Sequence, residues 1–109
     1  MNTGIDYTTV REIITKYNLE CRIKIRSEDS ISNWSKWITE PEKSYIEISG
    51  YGPIRKVEVE WLEINAVEKK TIGRLVKPKE IDHHVEVEIM LEKSNANYKI
   101  KDGLFSLYS

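Results

Sequence analysis

The dipeptide Asp102-Gly103 sits between two strand-like runs, Tyr98-Lys99-Ile100-Lys101 and Leu104-Phe105-Ser106-Leu107-Tyr108. Asp-Gly is the two-residue turn whose positive backbone angles match the twist of antiparallel strands. It fixes a register. Ile100 falls opposite Phe105 and Tyr98 opposite Leu107, so these four side chains share one face while Lys99 and Ser106 share the other. Whether this hairpin joins the central strands at an edge is not readable from the sequence.

Further strands are legible upstream. Leu19, Cys21, Ile23 and Ile25 alternate with Glu20, Arg22, Lys24 and Arg26, the period of a strand with one dry and one wet side. Tyr45 to Ile48 and Val57 to Trp61 also read as strands, and Gly50-Tyr51-Gly52-Pro53 between them reads as a turn, which predicts a hairpin. The second arm changes phase. After Val57, Val59 and Trp61 the apolar positions become Leu62 and Ile64, which predicts a bulge or sharp twist near Trp61-Leu62-Glu63. Asn65 to Lys79 reads as a connection, with a brief strand at Thr71 to Val76 as an option.

Two segments read as principal helices. Thr9-Val10-Arg11-Glu12 matches a capping box, Val10, Ile13, Ile14 and Tyr17 form one stripe, and Asn18 is a left-handed stop, giving a helix over about 8–18. Residues 82–93 are in conflict. Val85, Val87, Ile89 and Leu91 alternate with Glu86, Glu88, Met90 and Glu92 as in a strand, yet Asp82 is a good N-cap and Ile81, Val85 and Ile89 recur at helical spacing. Helix is the reading adopted. Ile31, Trp34 and Trp37 recur every three residues after Ser30, which predicts one or two further turns before Pro41 ends them. The fold class expected is a single α+β domain over residues 1–109: a mainly antiparallel sheet of four to six strands with two main helices on one face. Strand order is not readable, and an exposed sheet edge would leave homo-oligomers or strand addition open.

Charge and composition narrow the function classes. The chain has 109 residues with 17 Lys+Arg against 18 Asp+Glu, room for one modest core. Residues 1–40 carry six acidic and six basic side chains, 41–75 six and six, and 76–109 six and five, so no segment is polarised. A phosphate-binding surface or a membrane-surface helix normally shows a basic excess, so both lose weight. No apolar run reaches the roughly 20 residues that span a bilayer. The start lacks a basic region followed by an apolar one, and Cys21 is a lone thiol, so a cytoplasmic protein without a signal peptide is expected.

Sequence signatures of catalysis are missing: there is no Gly-rich phosphate loop, paired-Cys zinc pattern or Gly-x-Ser-x-Gly. His83 and His84 are adjacent, and neighbouring helix positions point about 100° apart, so they do not converge on one metal; no metal or cofactor is expected. Cys21 lies on the apolar side of its strand and reads as core. Glu58, Glu60 and Glu63, with Glu47 on the neighbouring arm, could in principle supply a carboxylate pair, but cross-strand pairing with Arg22, Lys24 and Arg26 is the preferred reading. Trp34 and Trp37 either cover the core or anchor a partner.

Two stretches are familiar together: Gly52-Pro53-Ile54-Arg55 followed by Val59-Glu60-Trp61-Leu62-Glu63-Ile64, and Ile81-Asp82-His83 leading to Tyr98 through Phe105. They resemble a family of small uncharacterised bacterial proteins, some of which look like immunity proteins of polymorphic or contact-dependent growth inhibition toxin systems. The likeness covers roughly residues 30–108 and includes no catalytic signature. It implies a cytoplasmic antidote, not an enzyme, that binds a cognate toxin domain and blocks it. Glu58, Glu60, Glu63, Trp34 and Trp37 would then be partner-binding residues, the carboxylates complementing a basic nuclease site if the toxin is one. Two alternatives stand beside it. One is a small nucleic-acid-binding module using Trp34, Trp37, Arg22, Lys24 and Arg26; the other is a small enzyme of unknown reaction using His83, His84 and nearby carboxylates.

Overall fold

A computed structural model describes residues 4–70 and 73–108. Helix α1 (Tyr7–Tyr17) leads into β1 (Glu20–Ile25), β2 (Ser30–Ile31), β3 (Ile38–Glu42), β4 (Tyr45–Ile48) and β5 (Tyr51–Arg55). A 3-10 turn (Lys56–Glu58) precedes β6 (Val59–Asn65), β7 (Val67–Lys70), β8 (Lys79–Asp82), helix α2 (His84–Lys93), β9 (Tyr98–Lys101) and β10 (Leu104–Tyr108). The class is α+β. Its principal sheet has five antiparallel strands in the order β2-β1-β6-β10-β9, beside a three-stranded sheet, β3-β4-β5, and a two-stranded ribbon, β7-β8.

The register of the principal sheet sorts its side chains into two sets of rows. Ile23, Leu62, Leu107 and Tyr98 are successive neighbours across four strands, as are Cys21, Ile64, Phe105 and Ile100. These rows face the helices: Val10, Ile13 and Ile14 of α1, Val87 and Leu91 of α2, and Ile38, Ile46 and Ile48 of the second sheet all belong to the same buried cluster. Removing each such side chain from water contributes about 1.5–3 kcal/mol. Cys21 is part of this core. Burial, then the charge of Glu20, pushes its thiol up to about 12, which leaves it un-ionised and inert near neutrality.

The terminal hairpin has the expected register, with Asp102 and Gly103 both at positive φ (52° and 78°), although Ile100 on the edge strand remains half-exposed. Helix α1 begins earlier than its capping box suggests. Asp6 is the N-cap: its Oδ1 accepts from the Thr9 amide at 3.1 Å and its Oδ2 from the Thr9 hydroxyl at 2.8 Å, so Thr9 braces the cap instead of forming it. Asn18 ends the helix at φ 54°, as its side chain favours.

Three other expectations give way, and the bulge holds close to its expected place. No helix forms at 30–37. Ser32 Oγ accepts from the Ile23 amide, and Ser35 pairs with Cys21 through the backbone, so the segment runs as a broken edge strand beside β1. Tyr45–Ile48 does not pair with Val57–Trp61. Its partner is Tyr51–Arg55, and only Ser49 and Gly50 turn, with Gly50 at φ 85°. Pro53 and Pro41 lie on the two edge strands of this sheet, where a missing amide donor is tolerated. The bulge falls one residue before the expected place: Lys24 faces Trp61 and Ile25 faces Val59, leaving Glu60 as the extra residue. Finally, Asn65 to Lys79 is more than a connection, because Val67–Lys70 pairs with Lys79–Asp82. Of the optional strand at Thr71 to Val76, residues 71 and 72 lie outside those described and Gly73 to Val76 are not in a strand.

Candidate functional site

The face of the principal sheet turned away from the helices carries the other rows. Arg22, Glu63, Ser106 and Lys99 follow one another across four strands, and Lys24, Trp61 and Tyr108 across three. Arg22 Nε donates to Glu63 Oε1 at 2.8 Å, and its guanidinium carbon lies 4.4 Å from the centre of the Trp34 ring. Trp34 therefore stacks on a charge-paired arginine, a contact stronger than an exposed aromatic would make alone. Lys24 Nζ is 3.0 Å from Asp29 and 3.6 Å from Glu60, and Lys99 Nζ lies 5.6 Å from the Tyr108 ring centre. The hydrogen bond to Asp29 is the main reason that the Lys24 ammonium sits above its ordinary range.

The expected partner-binding residues divide on this geometry. Glu60, Glu63 and Trp34 come together on the open face. Glu58 does not join them; it stands on the 3-10 turn and lines a separate groove of about 360 Å³ with Ser27, Tyr51, Pro53 and Arg55. Trp37 is half-exposed at the entry to β3, held by its backbone to the Ser35 hydroxyl, apart from Arg22. The carboxylate row is no free acidic stripe, because Glu63 and Glu60 are matched by Arg22 and Lys24 across the strands. Trp61 and Tyr108, direct cross-strand neighbours on the same face, escaped the sequence reading. The phase slip at Leu62 was the available signal, since it turns Trp61 to the side opposite Leu62 and Ile64.

The histidines serve different surroundings. His83 Nε2 is 2.9 Å from Glu68 Oε1, its Nδ1 is 3.5 Å from Glu86 Oε2, and its ring lies 4.7 Å from that of Tyr17. His83 is thus a joint between the ribbon, α1 and the start of α2. Its hydrogen bond is the first cause holding the Glu68 carboxyl below the usual range, and the Asn18 side chain adds to it. His84 packs instead against Phe105, with ring centres 4.8 Å apart. Among the described residues no group of three His, Cys, Asp or Glu side chains could hold a metal ion. Nor is any described helix long and apolar enough to cross a membrane.

The fold and this surface define a small α+β domain with one aromatic-bearing sheet face left uncovered by its helices. Residues 11–109 match the model of DUF6678, a family of unknown function, and the chain belongs to that family. No match was found among curated proteins or among solved structures.

Proposed function

We propose that the protein binds another protein through the open face of its five-stranded sheet, acting in the cytoplasm as an immunity protein that neutralises a bacterial toxin domain. The supporting observation is the grouping of Trp34, Trp61 and Tyr108 with Arg22 on one sheet face. Aromatic residues and arginine are the side chains enriched at the energetic centres of protein interfaces, and here neighbouring strands hold them in place before any partner arrives. The paired charges around them act as a polar rim that sets orientation. In this reading the protein covers its target and breaks no bonds.

A nucleic-acid reading has one observation of its own, the basic side chains beside stackable rings. Glu60, Glu63 and Asp29 work against it, since they neutralise Arg22 and Lys24 where phosphates would have to approach. Co-expression with the product of the adjacent upstream gene tests the proposal. A stable complex that protects cells, weakened at least about tenfold by Arg22→Ala or Trp34→Ala, is the expected result. Absence of both complex and protection overturns it, and salt-sensitive binding of a single-stranded oligonucleotide to the same face would favour the alternative.

A further inference from the structure

The β7-β8 ribbon carries a charge that division of the chain at residue 75 concealed. Lys69, Lys70, Arg74, Lys77 and Lys79 lie within eleven residues containing no Asp or Glu, which leaves twelve basic against eighteen acidic side chains for the remainder of the chain. Among the described residues none of the five cations makes an ion pair, unlike Arg22, Lys24 and Lys56. Between them, Leu75 is fully exposed and Val76 59% exposed. A basic loop with an apolar tip is complementary to an apolar surface rimmed by acids.

Helix α2 presents one. Val85 (63% exposed) and Ile89 (49%) lie one turn apart on its outer side. By helical spacing Glu88 and Glu92 flank them on one side, and Glu86 and Lys93 on the other. Glu88 and Glu92 both reach the Tyr98 hydroxyl, at 3.1 and 2.6 Å, and neither has a cationic partner among the described residues. Glu80 stands opposite Lys69 and Glu68 lies in the field of Lys70, so the excess positive charge is concentrated in the loop at Arg74 and Lys77 beside Leu75, opposite in sign to the carboxylates of α2. A polyanion such as nucleic acid would meet the repulsion of six excess negative charges over the rest of the chain. A second copy of this chain brings the complement to both surfaces at once.

We infer that the protein forms a two-fold dimer in which the basic ribbon of each copy lies on the Val85–Ile89 side of the other copy's α2. A two-fold axis satisfies both ribbons and both helices, and it leaves the open sheet face free. Sedimentation equilibrium of the full chain at about 0.05 M salt should give twice the 12.8 kDa chain mass, with dissociation at least about tenfold easier at about 0.5 M salt. Leu75→Asp and Val85→Asp should each give monomers with unchanged circular dichroism and with the melting temperature of wild type diluted to monomer. Glu88→Lys combined with Glu92→Lys should also give monomers, and adding Arg74→Glu and Lys77→Glu should restore the dimer. A wild-type monomer under these conditions would overturn the inference, as would a dimer indifferent to Leu75→Asp and Val85→Asp. Ribbon-dependent binding of a duplex oligonucleotide or of phosphatidylserine vesicles by a monomer would overturn it too. Arg22→Ala serves as the control: it should leave the mass unchanged, which separates this result from the sheet-face proposal.

Discussion

The two helices are nearly equal in length, eleven residues in α1 and ten in α2, and both bury apolar side chains in the same core, yet they use their sequences differently. In α1 the apolar residues Val10, Ile13 and Ile14 fall on one stripe, and all are buried. In α2 the apolar residues alternate, and side chains two positions apart on a helix point about 200° from one another. Val87 and Leu91 face inward with Met90 partly buried beside them, while Val85 and Ile89 face out. A helix whose apolar residues follow a strand's period cannot be sated by its own core. The surplus becomes surface, which is why α2 and not α1 offers a docking stripe.

The largest expected effect tests that division directly. Leu91→Ala and Ile13→Ala each empty a fully buried site and should lower unfolding free energy by about 2–5 kcal/mol in urea titrations. Val85→Ala and Ile89→Ala, measured at protein concentrations low enough for monomer, should stay within about 0.5 kcal/mol of wild type. Equal costs at Val85 and Leu91 would break the comparison.

Helix starts sharpen it at the next level. Asp6 makes two bonds to Thr9 at the head of α1, so Asp6→Ala should cost about 1 kcal/mol. Helix α2 has His83 in the cap position with no side-chain cap, and Asp82 Oδ1 reaches only the His84 amide, at an exposed site. Asp82→Ala should therefore cost less, about 0.5 kcal/mol, by the same titration. A larger loss at Asp82 than at Asp6 would mean that α2 is held mainly by its start.

How much of this was legible follows from how local each cause is. The Asp102-Gly103 hairpin, β1 and the body of α1 declare themselves because turn chemistry and apolar period agree within a few residues. For α2 the period pointed to a strand while the caps pointed to a helix, and only tertiary packing of Val87 and Leu91 decides. The second sheet was hidden because Tyr51-Gly52-Pro53 has turn composition but occupies an edge, where proline is permitted. Ser32 and Ser35 misled for another reason. Their hydroxyls satisfy backbone groups of Ile23, Trp37 and Ser49, partners nine and fourteen residues away in the longer cases, which no periodicity announces. Of the candidate surface, Glu60, Glu63 and Trp34 were named in advance. Trp61 and Tyr108 were not, because their shared face depends on where the bulge falls.

The smallest effect concerns the joint at the start of α2, where α1 has no counterpart. His83 holds the Glu68 carboxyl below its ordinary range, so the unfolded chain binds the Glu68 proton more readily than the folded one. Stability from this contact is fully present above the ordinary carboxylate pKa and is lost as pH falls through the depressed folded value. Glu68→Gln removes that component. Its melting temperature should lie below wild type at neutral pH, and the two curves should converge as the pH drops through the acidic range. The side chain is partly open to solvent, so salt should narrow the neutral-pH gap as well. Parallel curves down to strong acid would mean that the depressed carboxyl does not couple to folding, and α2 would then be anchored by Val87 and Leu91 alone.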